Sequence, residues 1–291
     1  MAEFIQKHKL FSFYSGLMII IVLIAIFAPW LAPGDAFTSN ISQALQAPSS
    51  QHWFGTDKLG RDVLSRIIYG TQLSLFMGVS IVVIMVSIGT IIGAIAGYFG
   101  GKVEMVLMRL ADIMLSFPGI VLAIAIAGIL GGSIVNTILA LSVVGWAKYA
   151  RIVRSMTLKV RGEEYVTAAV MMGASTTAII RRHIIPNIMP LVITTGALDI
   201  GAIMIEVAGL SFLGFGAQPP TPEWGLLLNE GRQSLQTSPW LMAFPVCPSL
   251  SGVLFLTFGP APYEKNGIHK IKDKIVLTFI IFTPYLVTGS F

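Results

Sequence analysis

Two carboxylates, Asp199 and Glu206, stand seven residues apart in an otherwise apolar run over 188–213. Seven residues are two helical turns, so the pair shares one helix face. No basic residue lies in that run. A charged group at membrane depth is costly and marks a functional position by default. The two acids are therefore expected to face protein or a water-filled path, and carboxylates on such a path suit a metal cation or its chelate. Arg109 and Asp112, three residues apart in a second apolar run, are read as neutralising one another on a helix face.

Other chemistries lack their residues. Gly100-Gly101-Lys102-Val103 is the nearest approach to a Walker A sequence, and it lacks both the upstream glycine and the following Ser or Thr. Neither H-E-x-x-H nor G-x-S-x-G occurs. The four histidines, at 8, 52, 183 and 269, are scattered. Cys247 stands alone, which excludes an internal disulfide and a cysteine-based metal cluster. The chain is not expected to hydrolyse ATP, to be an enzyme, or to hold a metal or other cofactor.

A contact surface is the remaining candidate. Residues 160–187 read VRGEEYVTAAVMMGASTTAIIRRHIIPN. Glu163 and Glu164 suit the first turn of a helix, where the dipole favours negative charge. Val166, Ala169, Val170 and Gly173 recur at helical spacing, and Ala168 with Ala169 leaves little bulk, so another surface can approach. Gly173 breaks that helix, Ser175 caps the next, and Pro186 is expected to end it. The result is a helix–turn–helix beneath the membrane, either a protein socket or an amphipathic segment resting on lipid headgroups. A small-residue face and a sharp turn favour the socket.

The elements that must position these residues follow from composition. Of 291 residues, 11% are charged and 55% hydrophobic, with a mean hydropathy of +0.80; soluble proteins carry roughly 25% charge. A soluble enzyme, a disordered chain and a disulfide scaffold are excluded, and a polytopic all-α membrane protein is indicated. In such a chain a net charge of +5 encodes topology rather than nucleic-acid binding. Apolar runs of spanning length occur at 13–32, 73–97, 108–130, 134–152, 188–213 and 240–259. They are helices, because backbone groups in lipid must be satisfied within the segment, and the alternation of a membrane β-barrel is absent. The first run is longer than a signal-peptide core and is read as an uncleaved span, with Pro29-Trp30 where an interfacial anchor would sit.

Basic residues set the orientation. The stretch 151–187 carries Arg151, Arg154, Lys159, Arg161, Arg181 and Arg182 against Glu163 and Glu164, so it is cytoplasmic. Counting back four spans puts the N-terminus, residues 1–12 with Lys7 and Lys9, inside; counting forward puts 214–239 outside and 265–274 inside. Gly89, Gly93 and Gly97, one turn apart in the second span, are read as a helix-packing ridge.

Ala168-Ala169, Gly173 after three intervening residues, and Ile185-Pro186 resemble the coupling motif of permease subunits of ABC importers, whose core is E-A-A, three residues and Gly, then an aliphatic–Pro pair. The family's glutamate falls on Thr167. Glu164-Tyr165-Val166 is similar to the Glu-Tyr-Val that the peptide and nickel branch carries just before it. HWFGTDKLGRDVLSRIIYGTQLSL at 52–75 and LSFLGFGAQPPTPEWGLLLNEGR at 210–232 resemble two further blocks of the second permease in that branch. The resemblance covers about residues 10–245. It implies a type I ABC importer permease of about six transmembrane helices in the cytoplasmic membrane of a bacterium. It also implies a second permease, two ATPase subunits that bind the ATP, and an extracytoplasmic substrate-binding protein. The docking role passes by resemblance to Glu164, Ala168, Ala169, Gly173 and Pro186. Glu206 recurs in the family regardless of substrate and is read as structural. Read physically, the outer blocks contain compact turns of both charge signs, and Glu223-Trp224 adds an amphipathic interfacial residue. They either receive the binding protein or pack against neighbouring spans.

Ala197-Leu198-Asp199-Ile200-Gly201 looks more like the nickel branch than the peptide branch. Nickel or a metal chelate is therefore the first expectation for the cargo, and di- or oligopeptides are the alternative. An ion-coupled secondary transporter is the alternative of another class, but no internal repeat is visible. The permease domain is expected over 13–259, with 160–187 as its coupling segment. After Pro245 the family pattern stops at Val246-Cys247-Pro248-Ser249. A basic stretch and an apolar run over 275–287 follow, so 260–291 is read as an atypical tail arising from a frame change or a divergence.

Overall fold

The computed structural model describes residues 9–246. The tail 260–291, Cys247 and most of the candidate span 240–259 lie outside the described residues. The chain is helical, and no strand occurs among the described residues. α1 is Lys9–Ile26 and α2 Ala28–Leu31. A largely non-helical stretch follows, with one 3-10 turn at Ile41–Gln43. α3 is Val63–Phe99, α4 Gly101–Ser116, α5 Gly119–Leu130 and α6 Ile134–Arg161. α7 is Glu164–Met171 and α8 Thr176–Ile179, continued by a π-helical turn, Ile180–Ile184, into α9, Ile185–Phe212. α10 is Trp224–Arg232, and the chain is helical again over 240–246.

Among the described residues α3 and the continuous run 176–212 are long and apolar enough to cross a membrane, and the α4–α5 pair counts as a third if it is one broken span. That pair corrects the expected straight helix over 108–130. It bends by 91° at Phe117-Pro118, where Phe117 is extended (φ −99°, ψ 148°). The residue before proline is pushed out of the helical region by the pyrrolidine ring. α6 runs nine residues past the expected end at 152, and its second half carries Lys148, Arg151, Arg154, Lys159 and Arg161.

α3 has 37 residues, about 55 Å at helical rise, against about 30 Å of hydrocarbon. It begins ten residues before the expected span because Asp62 caps it. The Asp62 carboxylate accepts from the Ser65 amide at 2.8 Å and the Ser65 hydroxyl at 2.7 Å.

The core sits where α3, α6 and α9 meet. Met77, Ile81 and Met85 of α3 pack with Tyr149 and Val153 of α6 and with Ile188, Val192 and Ile203 of α9. The glycine ridge does what its spacing predicts. A Cβ added at Gly93 would lie 2.5 Å from the Ala150 carbonyl oxygen and 2.7 Å from Val153 Cβ; one at Gly97 would lie 2.7 Å from Thr157 Cβ. The backbones of α3 and α6 can touch only because these side chains are missing.

Pro186 does not end a helix, contrary to the sequence expectation. It is taken into the first turn of α9. An α-turn there would press the proline ring on the Arg182 carbonyl. The π turn relieves this by widening the helix, and its exit is bonded from the Ile185 amide to the Ile180 carbonyl, five residues back.

Candidate functional site

Residues 160–187 fold as the helical hairpin that their sequence implies. Gly173 takes φ +82°, a left-handed conformation that glycine adopts without steric cost, and the Ser175 hydroxyl accepts from the Ala178 amide at 3.3 Å. Which face is presented differs from expectation. Val166 and Ala169 are buried against the bundle, whereas Val170 and Gly173 are exposed. Glu164, Thr167 and Ala168 are also exposed, as is Pro186 at the π turn. Met171 and Met172, 83% and 82% exposed, stand at the tip, and the sequence reading assigned them no role. Two bare methionines beside a turn form a deformable apolar knob suited to a partner's cleft. The signal was present in the sequence: α7 has room for only one buried stripe, and Val166 and Ala169 fill it.

The polar residues of α6 form a second constellation. Lys148, Arg151 and Arg154 are spaced three apart, and each meets a carboxylate on another helix. Lys148 Nζ donates to Asp199 on α9 at 2.6 and 2.8 Å. Arg151 pairs with Asp112, and Arg154 with Glu104, both on α4. A three-residue step turns a helix by about −60°, so the ladder swings from the α9 side to the α4 side along α6. An open groove of about 680 Å³ lies between α4 and α6, lined by Glu104, Met105, Met108, Arg109, Asp112 and Arg151, among others.

Two expectations are corrected here. Asp112 is neutralised by Arg151 rather than by Arg109, which is exposed along the groove. Asp199 is not without a cation: Lys148 pairs with it, and the buried Tyr149 hydroxyl donates to its Oδ2 at 2.7 Å. Glu206 lies half-buried two turns further along α9. Lys148 was legible in principle, since a lone lysine within one apolar run and a lone aspartate within another call for each other. Only the packing of α6 on α9 makes them neighbours. Among the described residues no group of three or more His, Cys, Asp or Glu side chains is placed to hold a metal ion.

The 52–75 and 210–232 blocks pack on one another. Asp57 Oδ2 accepts from Arg61 Nε at 2.7 Å and from Arg66 Nη1 at 2.6 Å, and Arg66 Nη1 also reaches Glu230 Oε2 at 2.6 Å. Both guanidiniums are buried, so the 52–75 and 210–232 blocks share one internal charge network. Glu223 is fully buried at the start of α10, where it accepts from the Gly225 and Leu226 amides, each at 3.0 Å. Burial pushes its carboxyl above the ordinary range, and those amide bonds only partly offset it. Trp224, expected as an interfacial residue, is buried at 2% exposure beside Gly70 of α3. For these residues packing against the spans, not an open outer surface, is the observed role.

Comparison with known proteins gives a coherent set of likenesses. Residues 89–259 match the family described as binding-protein-dependent transport system inner membrane component. Residues 5–48 match the N-terminal TM domain of oligopeptide transport permease C. A dipeptide transport system permease protein of Alkalihalophilus pseudofirmus is 46% identical over 243 residues, covering 83% of this chain and 79% of that one. A glutathione transport system permease protein of Escherichia coli O6:K15:H31 is 43% identical over 229 residues, covering 78% and 76%. A probable D,D-dipeptide transport system permease protein of Escherichia coli K12 is 40% identical over 258 residues, covering 88% and 85%.

Proposed function

Since the chain belongs to the binding-protein-dependent transport system inner membrane components, the membrane-embedded permease subunits of ABC transporters whose ATPase is a separate subunit, we propose that it carries di- or oligopeptides into the cell. The observation behind this cargo is that the relatives are named for dipeptide, glutathione and D,D-dipeptide transport. It reverses the order reached from the sequence, which put nickel first. That order rested on the nickel-branch look of residues 197–201 and on Asp199 as an unpartnered acid on the path, and Lys148 supplies the missing cation.

In this reading the chain lies in the cytoplasmic membrane of a bacterium with its N-terminus inside. It assembles with a second permease, two ATPase subunits and an extracytoplasmic binding protein, and needs no cofactor of its own. The permease domain is 13–259. The 160–187 hairpin is the ATPase contact: Glu164, Ala168 and Gly173 offer exposed positions, Ala169 seats α7 from behind, and Pro186 marks the junction with α9. α8, the π turn and α9 form one run, so displacement of the hairpin reaches Asp199 and Glu206 on the proposed path without a flexible joint. ATP-driven closure of the ATPases would then bias two states of one assembly, outward-open and inward-open.

Uptake by the complete complex in vesicles, with its binding protein and internal ATP, tests the cargo. Labelled dialanine, glutathione and nickel ions are offered side by side. ATP-dependent accumulation of either peptide with no nickel uptake is expected; nickel uptake without peptide uptake would overturn the proposal.

A further inference from the structure

We propose that Lys148 and Asp199 are an exchangeable ion pair that receives the two charged ends of a peptide as it passes through the membrane, an inference that rests on the peptide cargo proposed above. Asp199 is halfway along the 28-residue α9, at a depth where a charged group is costly unless it faces protein or water. The two partners of its carboxylate are unlike. Tyr149 is buried and donates to Oδ2 from a fixed position in the core. Lys148 has a side chain 47% exposed, against 17% for Asp199, and its ammonium sits on a flexible four-carbon stem. The tyrosine can hold the carboxylate in place while the lysine swings away.

A free peptide is a zwitterion with an ammonium and a carboxylate. Its ammonium would take the place of Lys148 on Asp199, and Lys148 would turn to its carboxylate. One ion pair becomes two, no net charge is added at membrane depth, and the protein's own pair re-forms when the peptide leaves. A cation alone would leave Lys148 without a partner, and an anion alone would leave Asp199 with only its tyrosine. The pair therefore selects cargo with both charges.

The test uses the complete reconstituted complex and three probes: dialanine, N-acetyl-dialanine and dialanine amide. The binding protein has its own preference, so each variant is read as the ratio of free to blocked peptide uptake, relative to the same ratio for the unaltered complex. Lys148→Met is expected to lower dialanine uptake about tenfold while leaving dialanine amide uptake much less affected. Asp199→Asn should do the same relative to N-acetyl-dialanine. Equal losses for all three probes would mean that the pair only holds α6 to α9, and would overturn the inference. So would recovery of dialanine uptake in the neutral double variant Lys148→Met/Asp199→Leu. Absence of dialanine uptake by the unaltered complex is a different failure, since it removes the peptide cargo itself and this inference with it.

Discussion

Arg66 Nη1 donates to Glu230 Oε2 at 2.6 Å, joining the first turns of α3 to α10 across 164 residues of sequence. Asp57 completes the contact from the other side at 2.6 Å. Removing one member of a buried charge set leaves the others uncompensated and costs about 3–5 kcal/mol. Arg66→Met should therefore lower the thermal midpoint of the purified complex, whereas Glu230→Gln, which keeps an acceptor, should lower it less. Thermal unfolding in detergent measures both.

The α3–α6 contact makes a sharper steric prediction. At Gly93 any Cβ collides with the Ala150 carbonyl and Val153, and overpacking of this kind costs about 1–3 kcal/mol. Gly209 of α9 has nothing within 4 Å of its would-be Cβ. Gly93→Val should destabilise the complex by at least that range, and Gly209→Ala should stay within about 0.5 kcal/mol of the parent. Comparing their thermal midpoints at equal expression checks both.

At the hairpin, coupling and folding separate. Met171 and Met172 are exposed, so Met171→Glu/Met172→Glu leaves the core intact while placing charge on the apolar knob. The expected result is a loss of peptide uptake of about tenfold or more, corresponding to about 1.4 kcal/mol at the contact, with the permease still inserted in the membrane. Gly173→Pro should act at the turn itself, because φ +82° is closed to proline, which needs about −65°. ATP hydrolysed per peptide transported is the readout; an unchanged ratio and unchanged uptake would count against the docking role.

Glu223 gives a pH prediction. Its folded-state carboxyl is raised above the ordinary 4.5 by burial. The stability this confers is fully present below the ordinary value, is lost as pH rises through the folded value, and stays lost above it. Glu223→Gln cannot ionise. The stability of this variant relative to the parent should rise with pH across that window and then level off. Thermal midpoints of the two proteins, measured in parallel from pH 4 upward (roughly the ordinary carboxylate range), give the difference.

What the sequence determined by itself was everything that local chemistry dictates. Apolar runs and scarce charge required membrane helices, because backbone groups in lipid have no other partner. Gly89, Gly93 and Gly97 announced a close helix contact, since small residues one turn apart can do little else. Gly173 and Ser175 fixed the hairpin turn, one by its access to positive φ and the other by its hydroxyl. The motif residues at 164–186 pointed to the family.

Tertiary structure decided the partners. Lys148 with Asp199, Arg151 with Asp112, and Arg66 with Glu230 each join different helices, and no spacing along the chain encodes which faces meet. It also decided that Ala169 turns inward while Met171 and Met172 turn out, because the bundle, not the motif, chooses the buried stripe of α7. Pro186 shows the same limit from the other side. Propensity says that proline stops a helix, yet α8 and α9 stay continuous through one π turn, which joins the hairpin to α9 without a break.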